Sequence, residues 1–180
     1  MTGSRKKGED FGKTAISYAE EIARRHCGLP VDEFTSFDMQ RGVELEPLAI
    51  MAYEATQMVE ARPKERIYHE KYDFISGEPD GLVGDSGIVE VKCPNASNHF
   101  KNLMEGAQLE DYKYQIQGYL WITGREWCDF VSFHPEYTEK TRIAVLRIER
   151  NDEIIEQLEE RSVKFWNDIV LPIIKKIESL

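Results

Sequence analysis

Residues 77–94, GEPDGLVGDSGIVEVKCP, hold three charged groups that could act together: Asp80, Glu90 and Lys92. Side chains alternate along GIVEVK, so Val89 and Val91 point to one face while Glu90 and Lys92 share the other. Asp80 stands on the preceding extended segment, and Gly84-Asp85-Ser86-Gly87 reads as the hairpin turn that brings it beside the end of GIVEVK. Two carboxylates so close repel each other and tend to hold a proton unless a cation neutralises both. A hard divalent ion does so. Mg²⁺ takes one or two carboxylates, a carbonyl and several waters, and the Val91 carbonyl, between the two charged residues, is the natural third protein ligand. Such an ion lowers the pKa of bound water and stabilises charge on a reacting phosphodiester. Lys92, a compact ammonium, would orient that water and steady the phosphorus. The competing reading is a cross-strand ion pair on a solvated sheet face, which contributes little. On pattern alone the two are evenly matched, since Asp111-Tyr112-Lys113 repeats the acid-x-Lys spacing in helical sequence with no partner acid.

Glu46 adds weight to the first reading. It lies at i−3 from Ala49 and i−7 from Tyr53, which puts it on the apolar face of its helix. There it is either a core-edge carboxylate paired to Arg41 or a backbone amide, or a further acid at the metal site. Gln115 and Tyr119 stand at i, i+4 on a later helix, an amide and a ring on one face that could line a DNA groove; a Tyr at that spacing is more often core.

The elements that must position these residues are legible as patterns. Ala15, Ile16, Ala19, Ile22, Ala23 and His26 repeat on one helical face that stops at Gly28-Leu29-Pro30. A second helix runs from about Phe37 to Val59, with Leu45, Ala49, Ala52, Tyr53 and Thr56 on one stripe; Pro47 should kink it or mark its true first turn. Extended segments follow: RIYHEKYDFIS, PDGLVG and GIVEVK. Next come a helix from about Gln108 to Thr123 and two alternating runs, WCDFVSF and RIAVLRIE. An amphipathic helix from about Asp152 closes the chain, with Ile155, Leu158, Phe165, Trp166, Ile169 and Ile173 inward and Pro172 bending it. This order predicts a mixed α/β domain whose central sheet is covered by helices.

At 180 residues with 41% hydrophobic content the chain can bury a core without disulfides, so residues 1–180 are expected to form a single domain. Cys27, Cys93 and Cys128 are far apart and odd in number, which suits ordinary thiols in a reducing cytoplasm. No apolar run is long enough to span a membrane and MTGSRKKGED lacks a secretory core, so a soluble cytoplasmic protein with no membrane partner is expected. The net charge of −10 argues against a general affinity for nucleic acid, yet Arg5, Lys6, Lys7 and Lys13 leave room for a local basic face.

Taken together, Pro79-Asp80, Glu90-Val91-Lys92-Cys93-Pro94, the helix QRGVELEPLAIMAYE (40–54) and the segment YQIQGYLWITGREWCDFVSFHP (114–135) resemble the PD-(D/E)XK nuclease superfamily. Within it they are similar to the lambda-exonuclease-like, or YqaJ-type, viral recombinase family, over roughly Phe11 to Ile148. The resemblance implies an α/β restriction-endonuclease-like core, a central mixed β-sheet flanked by α-helices. It places the family's metal-binding acids at Asp80, Glu90 and Glu46, its catalytic lysine at Lys92, its active-site glutamine at Gln115 and an aromatic ring at Tyr119. It implies an exonuclease that uses two Mg²⁺ or Mn²⁺ ions to hydrolyse linear double-stranded DNA from 5′ to 3′ in phage-type recombination. The remaining implications are a homotrimer, a single-strand annealing protein as partner, and a phage or prophage gene in a bacterial host.

One departure bears on the DNA end. The Arg and Ser with which the family holds the 5′-phosphate would lie upstream of Met1. Either the native start is further upstream, or Arg5, Lys6, Lys7 and Lys13 replace that pocket, or the enzyme has no terminal-phosphate requirement. The alternatives on the same core are a structure-specific endonuclease and a non-catalytic DNA-end or protein-binding module. Nucleases that carry an iron–sulfur cluster are disfavoured, for the clustered cysteines are missing.

Overall fold

The computed structural model describes residues 11–32, 34–106 and 109–180. They fall into two compact units, one within Met1–Phe34 and Glu156–Leu180, the other Thr35–Ile155.

The second unit is built on a five-stranded sheet. Its strands are β1 (Ala61–Pro63), β4 (Gly81–Val83), β5 (Gly87–Lys92), β6 (Trp127–Phe133) and β7 (Ile143–Glu149), side by side in that order. β5 and β6 run parallel and the other neighbours antiparallel, so the sheet is mixed. Two parallel neighbours need a crossover. Here it carries α3 (Ala96–Glu105), a 3₁₀ turn (Leu109–Asp111) and α4 (Lys113–Thr123). The sequence predicts one helix from Gln108; the 3₁₀ turn and the later start of α4 replace its first part, and α3 is new. Its start is marked by Asn95, whose side chain accepts the Asn98 N–H at 2.9 Å. The RIYHEKYDFIS segment forms a separate two-stranded sheet of β2 (Ile67–Tyr68) and β3 (Ser76–Gly77).

Alternation along the strands loads both faces of the sheet. Val83, Val89, Val91, Val131 and Phe133 pack with Ala49 and Tyr53 of α2 (Phe37–Gln57). Leu82, Ile88, Cys128 and Phe130 pack with Ile116 and Leu120 of α4. Polar ties hold both helices down. The Tyr53 hydroxyl donates to buried Asp129 at 2.7 Å, and the Arg147 guanidinium donates to both oxygens of the same carboxylate. Gln117 donates to the Glu149 carbonyl at 2.9 Å and accepts the Asn151 N–H at 2.8 Å, fixing α4 to the end of β7. Pro47 lies inside α2 rather than in its first turn, which begins at the Ser36 cap. Thr56, expected on the inward stripe, is exposed, and its hydroxyl donates back to the Ala52 carbonyl at 2.7 Å.

In the first unit, α1 (Lys13–His26) buries Ala15, Ala19 and Ala23 at i, i+4 spacing against Phe11, Phe165, Val170 and Ile174. The closing segment is α5 (Asp152–Phe165), a wide π turn (Trp166–Val170) and α6 (Leu171–Glu178). Pro172 has no N–H to continue the i→i−4 ladder, and the Leu171 N–H reaches Trp166, five residues back. Val170 and Ile174 are buried there, and the expected Trp166, Ile169 and Ile173 pack against the same cluster, partly covered. Among the described residues no helix is long and apolar enough to cross a membrane.

Candidate active site

β4 is three residues long, and its ladder with β5 ends at the Gly81–Val89 pair. One step further the antiparallel register sets Asp80 opposite Glu90. The Asp80 side chain takes over where the ladder stops, its Oδ2 accepting the Val91 N–H at 2.7 Å. The N–H and C=O of one strand residue point to the same edge, so the Val91 carbonyl also faces the Asp80 side.

The turn that sets this register is held from outside. Gly84 has φ +53°, a left-handed value that glycine adopts without strain. At Gly87 a Cβ would stand 2.1 Å from the Trp127 ring, so only hydrogen fits. Arg125, 8% exposed, donates from Nη1 to the carbonyls of Val83, Gly84 and Gly87 at 3.3, 2.9 and 2.6 Å.

Glu90 is 2% exposed. The face it shares with Lys92 is therefore not solvated but roofed by α4, and a surface ion pair does not describe it. Its Oε1 accepts from Lys92 Nζ at 2.6 Å and from Gln115 Nε2 at 2.8 Å. Its Oε2 is buried without a hydrogen-bond partner. Burial pushes the Glu90 carboxyl up to about 7 against the pull of Lys92, with Asp80 and Glu46 adding to the rise. Asp80 is raised as well, first by burial and then by Glu46, against the Val91 N–H and Lys92. Burial works against the Lys92 ammonium, but Glu90 and Asp80 outweigh it and leave Lys92 above the ordinary range. The ammonium also sits 5.2 Å from the centre of the Tyr112 ring.

Glu46 stands on α2, half-buried, near enough to raise both other acids. Its partner is Lys64, at 2.7 and 2.9 Å from its two oxygens, and not the Arg41 that the core-edge alternative offered. Arg41 instead donates to the Cys93 carbonyl at 2.8 Å, tying α2 to the end of β5. Tyr119 packs on the core beside Gly77 and accepts from Gln115 at 3.2 Å, so its ring is core while its hydroxyl belongs to the site. Lys13 is exposed at the start of α1 in the first unit, and Arg5, Lys6 and Lys7 lie outside the described residues.

These donors fit a hard divalent cation. An unpartnered buried carboxylate oxygen wants one, and two facing acids with raised affinity for protons are relieved by one. Among the described residues no three His, Cys, Asp or Glu side chains form a cage by themselves. Two carboxylates and a carbonyl are the set of an ion that keeps several waters, as Mg²⁺ does.

Residues 4–126 match the YqaJ-like viral recombinase domain. The chain belongs to the YqaJ-like viral recombinase family. It is 32% identical over 154 residues to the uncharacterized protein YqaJ of Bacillus subtilis (strain 168), covering 79% of this chain and 44% of that protein. The chain thus spans less than half the length of that relative. Among solved structures it is similar to an alkaline exonuclease, LHK-Exo, of Laribacter hongkongensis, with TM-score 0.83, 31% identity, and 95% of this chain and 87% of that one covered. LHK-Exo in complex with dAMP gives TM-score 0.81 and 33% identity over 91% of this chain and 83% of that one. A phage-related exonuclease of Haemophilus somnus 129PT, 22% identical with TM-score 0.77 over 98% of this chain and 91% of that one, shares the fold. The restriction-endonuclease-like core is therefore the architecture of this YqaJ-like chain.

Within that family fold, Lys64, Tyr112 and Arg125 are site residues that sequence reasoning did not single out. Tyr112 carried a signal: it precedes Gln115 by three residues, hence the same helix face. Lys64 and Arg125 carried none, because their partners lie 18 and about 40 residues away in sequence. Burial raises the Cys93 thiol to about 11 and pushes Cys128 up further, which keeps both in the protonated, less nucleophilic form.

Proposed function

We propose that this YqaJ-like chain is a divalent-metal-dependent DNA exonuclease acting on linear duplex ends, with residues 1–180 working as one nuclease domain. The observation that carries the reading is the pairing of half-buried Asp80 with buried Glu90, whose Oε2 is unpartnered and whose Oε1 has an ammonium at 2.6 Å. Likeness to an alkaline exonuclease that binds dAMP supports it, a deoxynucleoside monophosphate being the product class of stepwise DNA digestion.

Asp80, Glu90, the Val91 carbonyl and Glu46 would hold Mg²⁺ or Mn²⁺, two ions by the family resemblance. When bound, such ions polarise the phosphodiester and make water acidic enough to attack near neutral pH. Gln115 fixes the Glu90 carboxylate, so its open oxygen keeps its aim. Lys92, confined by Glu90 and the Tyr112 ring, places a positive charge beside the phosphorus undergoing attack. Arg5, Lys6, Lys7 and Lys13 contribute phosphate contacts, and Tyr119 lies at the site's edge. The 5′ to 3′ direction, a homotrimer and a single-strand annealing partner in phage-type recombination follow from the resemblance alone.

The test is end-labelled linear duplex, with and without 5′-phosphate, beside covalently closed circles. Mg²⁺ or Mn²⁺ should support loss of the linear forms only, and Lys92→Ala should lower the rate by about 10²–10³-fold with its circular dichroism unchanged. Wild-type rates from Lys92→Ala would refute the mechanism; digestion of circles would make the chain an endonuclease.

A further inference from the structure

Glu46 differs from Glu90 in having both carboxylate oxygens held by one ammonium, where Glu90 keeps Oε2 unpartnered. Lys64 Nζ spans both carboxylate oxygens, 2.7 Å from Oε1 and 2.9 Å from Oε2. It arrives there from just past β1, and Asp80 and Glu78 are also near enough to favour its charge. An ammonium astride both oxygens competes with a metal ion for the same carboxylate, by space and by charge. Which gives way depends on exposure. The Lys64 side chain is 42% exposed, so its flexible stem can swing into water and be rehydrated at little cost, as the small worth of exposed ion pairs shows. Lys92, 26% exposed and bonded to a carboxylate that is 3% exposed, has no such route.

We propose that Lys64 is an exchangeable counter-ion of the site: it competes with a divalent cation for the Glu46 carboxylate and is displaced into solvent when that cation binds. The inference rests on the nuclease reading. It assigns the two lysines opposite parts, Lys92 fixed and Lys64 yielding, and makes Glu46 an acid that joins the metal site only on exchange.

Mn²⁺ binding to the full chain, followed by calorimetry and by the electron paramagnetic resonance of free Mn²⁺, tests this without recourse to activity. Wild type, Lys64→Gln, Glu46→Gln and the double variant are compared, each checked for folding by circular dichroism. Lys64→Gln should tighten Mn²⁺ about two- to fivefold, the scale of an exposed ion pair. In the Glu46→Gln background the same substitution should change affinity by less than about half that factor, because the contested carboxylate is gone. Equal tightening in both backgrounds would reduce Lys64 to a general charge effect and overturn the proposal, as would no tightening at all. Folded wild-type protein that takes up no Mn²⁺ would overturn the nuclease reading itself, and the exchange with it.

Discussion

At the scale of single residues, the site is organised by what each polar atom is bonded to. Glu90 Oε1 has two donors and Oε2 has none, so the carboxylate is anchored on one side and open on the other. Gln115 is the neutral donor of that pair. Unlike Lys92 it adds no charge, and its amide can only orient. Outer partners of metal-binding groups commonly matter by about 10–100-fold. Gln115→Ala should therefore lower turnover by about tenfold or more and weaken Mn²⁺ binding, while affinity for duplex in Ca²⁺ holds. Measured kcat and Kd decide it: undiminished turnover would show that Lys92 alone suffices to hold Glu90.

At the scale of elements, short-range and long-range ties do different work. The β4–β5 turn is closed by local chemistry at Gly84 and Gly87, then locked by Arg125 from the start of the next strand. The crossover helix α3 is locked by a buried histidine. His99 Nε2 lies 2.8 Å from the Thr141 carbonyl, an acceptor only, so that nitrogen carries the proton. Nδ1 then accepts from the Ser132 hydroxyl at 2.9 Å, which in turn accepts from Asn102. Burial, with the neighbouring His134, holds His99 below its ordinary value of 6.5 against the Thr141 bond. The unfolded chain therefore takes up this proton first. Stability from neutral His99 is complete above 6.5 and is lost as pH falls from there through the folded value. Urea midpoints read at successive pH values should fall on acidification more steeply in wild type than in His99→Gln, by at most about 1.4 kcal/mol per pH unit. Parallel curves would mean that His99 does not carry the acid sensitivity of α3.

At the scale of the whole molecule, charge would set the terms of the proposed DNA binding. A net charge of −10 repels a polyanion, and the candidate site adds three acids where, on the proposed reading, phosphate would come. Divalent cations held by those acids would reverse the sign locally. In EDTA near physiological salt, duplex should bind no more tightly than the general non-specific range of about 10⁻⁴–10⁻⁶ M. Ca²⁺, a hard oxygen-seeking ion, should tighten that by about tenfold or more. Fluorescence anisotropy of labelled duplex reads this directly, and equal affinity with and without the ion would locate DNA on a basic surface away from Asp80, Glu90 and Glu46.

Several features follow from local rules and needed only the sequence. Alternation in GIVEVK puts Glu90 and Lys92 on one face, Gly84 and Gly87 close the hairpin that returns Asp80, and helical spacing turns Glu46 inward. WCDFVSF became β6 with its expected bounds, and RIAVLRIE became β7 less its first residue. These are periodicities of the chain itself, set by backbone geometry. What covers a face is a different matter, for it depends on which distant segment pairs there. The parallel β5–β6 match brings α4 over Glu90, and that cover turns a surface charge pattern into a buried carboxylate with an open oxygen. The same holds for Lys64 on Glu46 and Arg125 on the turn. Their positions in the sequence are unremarkable, and only tertiary structure decides their partners, because charge and hydrogen bonding act through space while sequence pattern records neighbours along the chain.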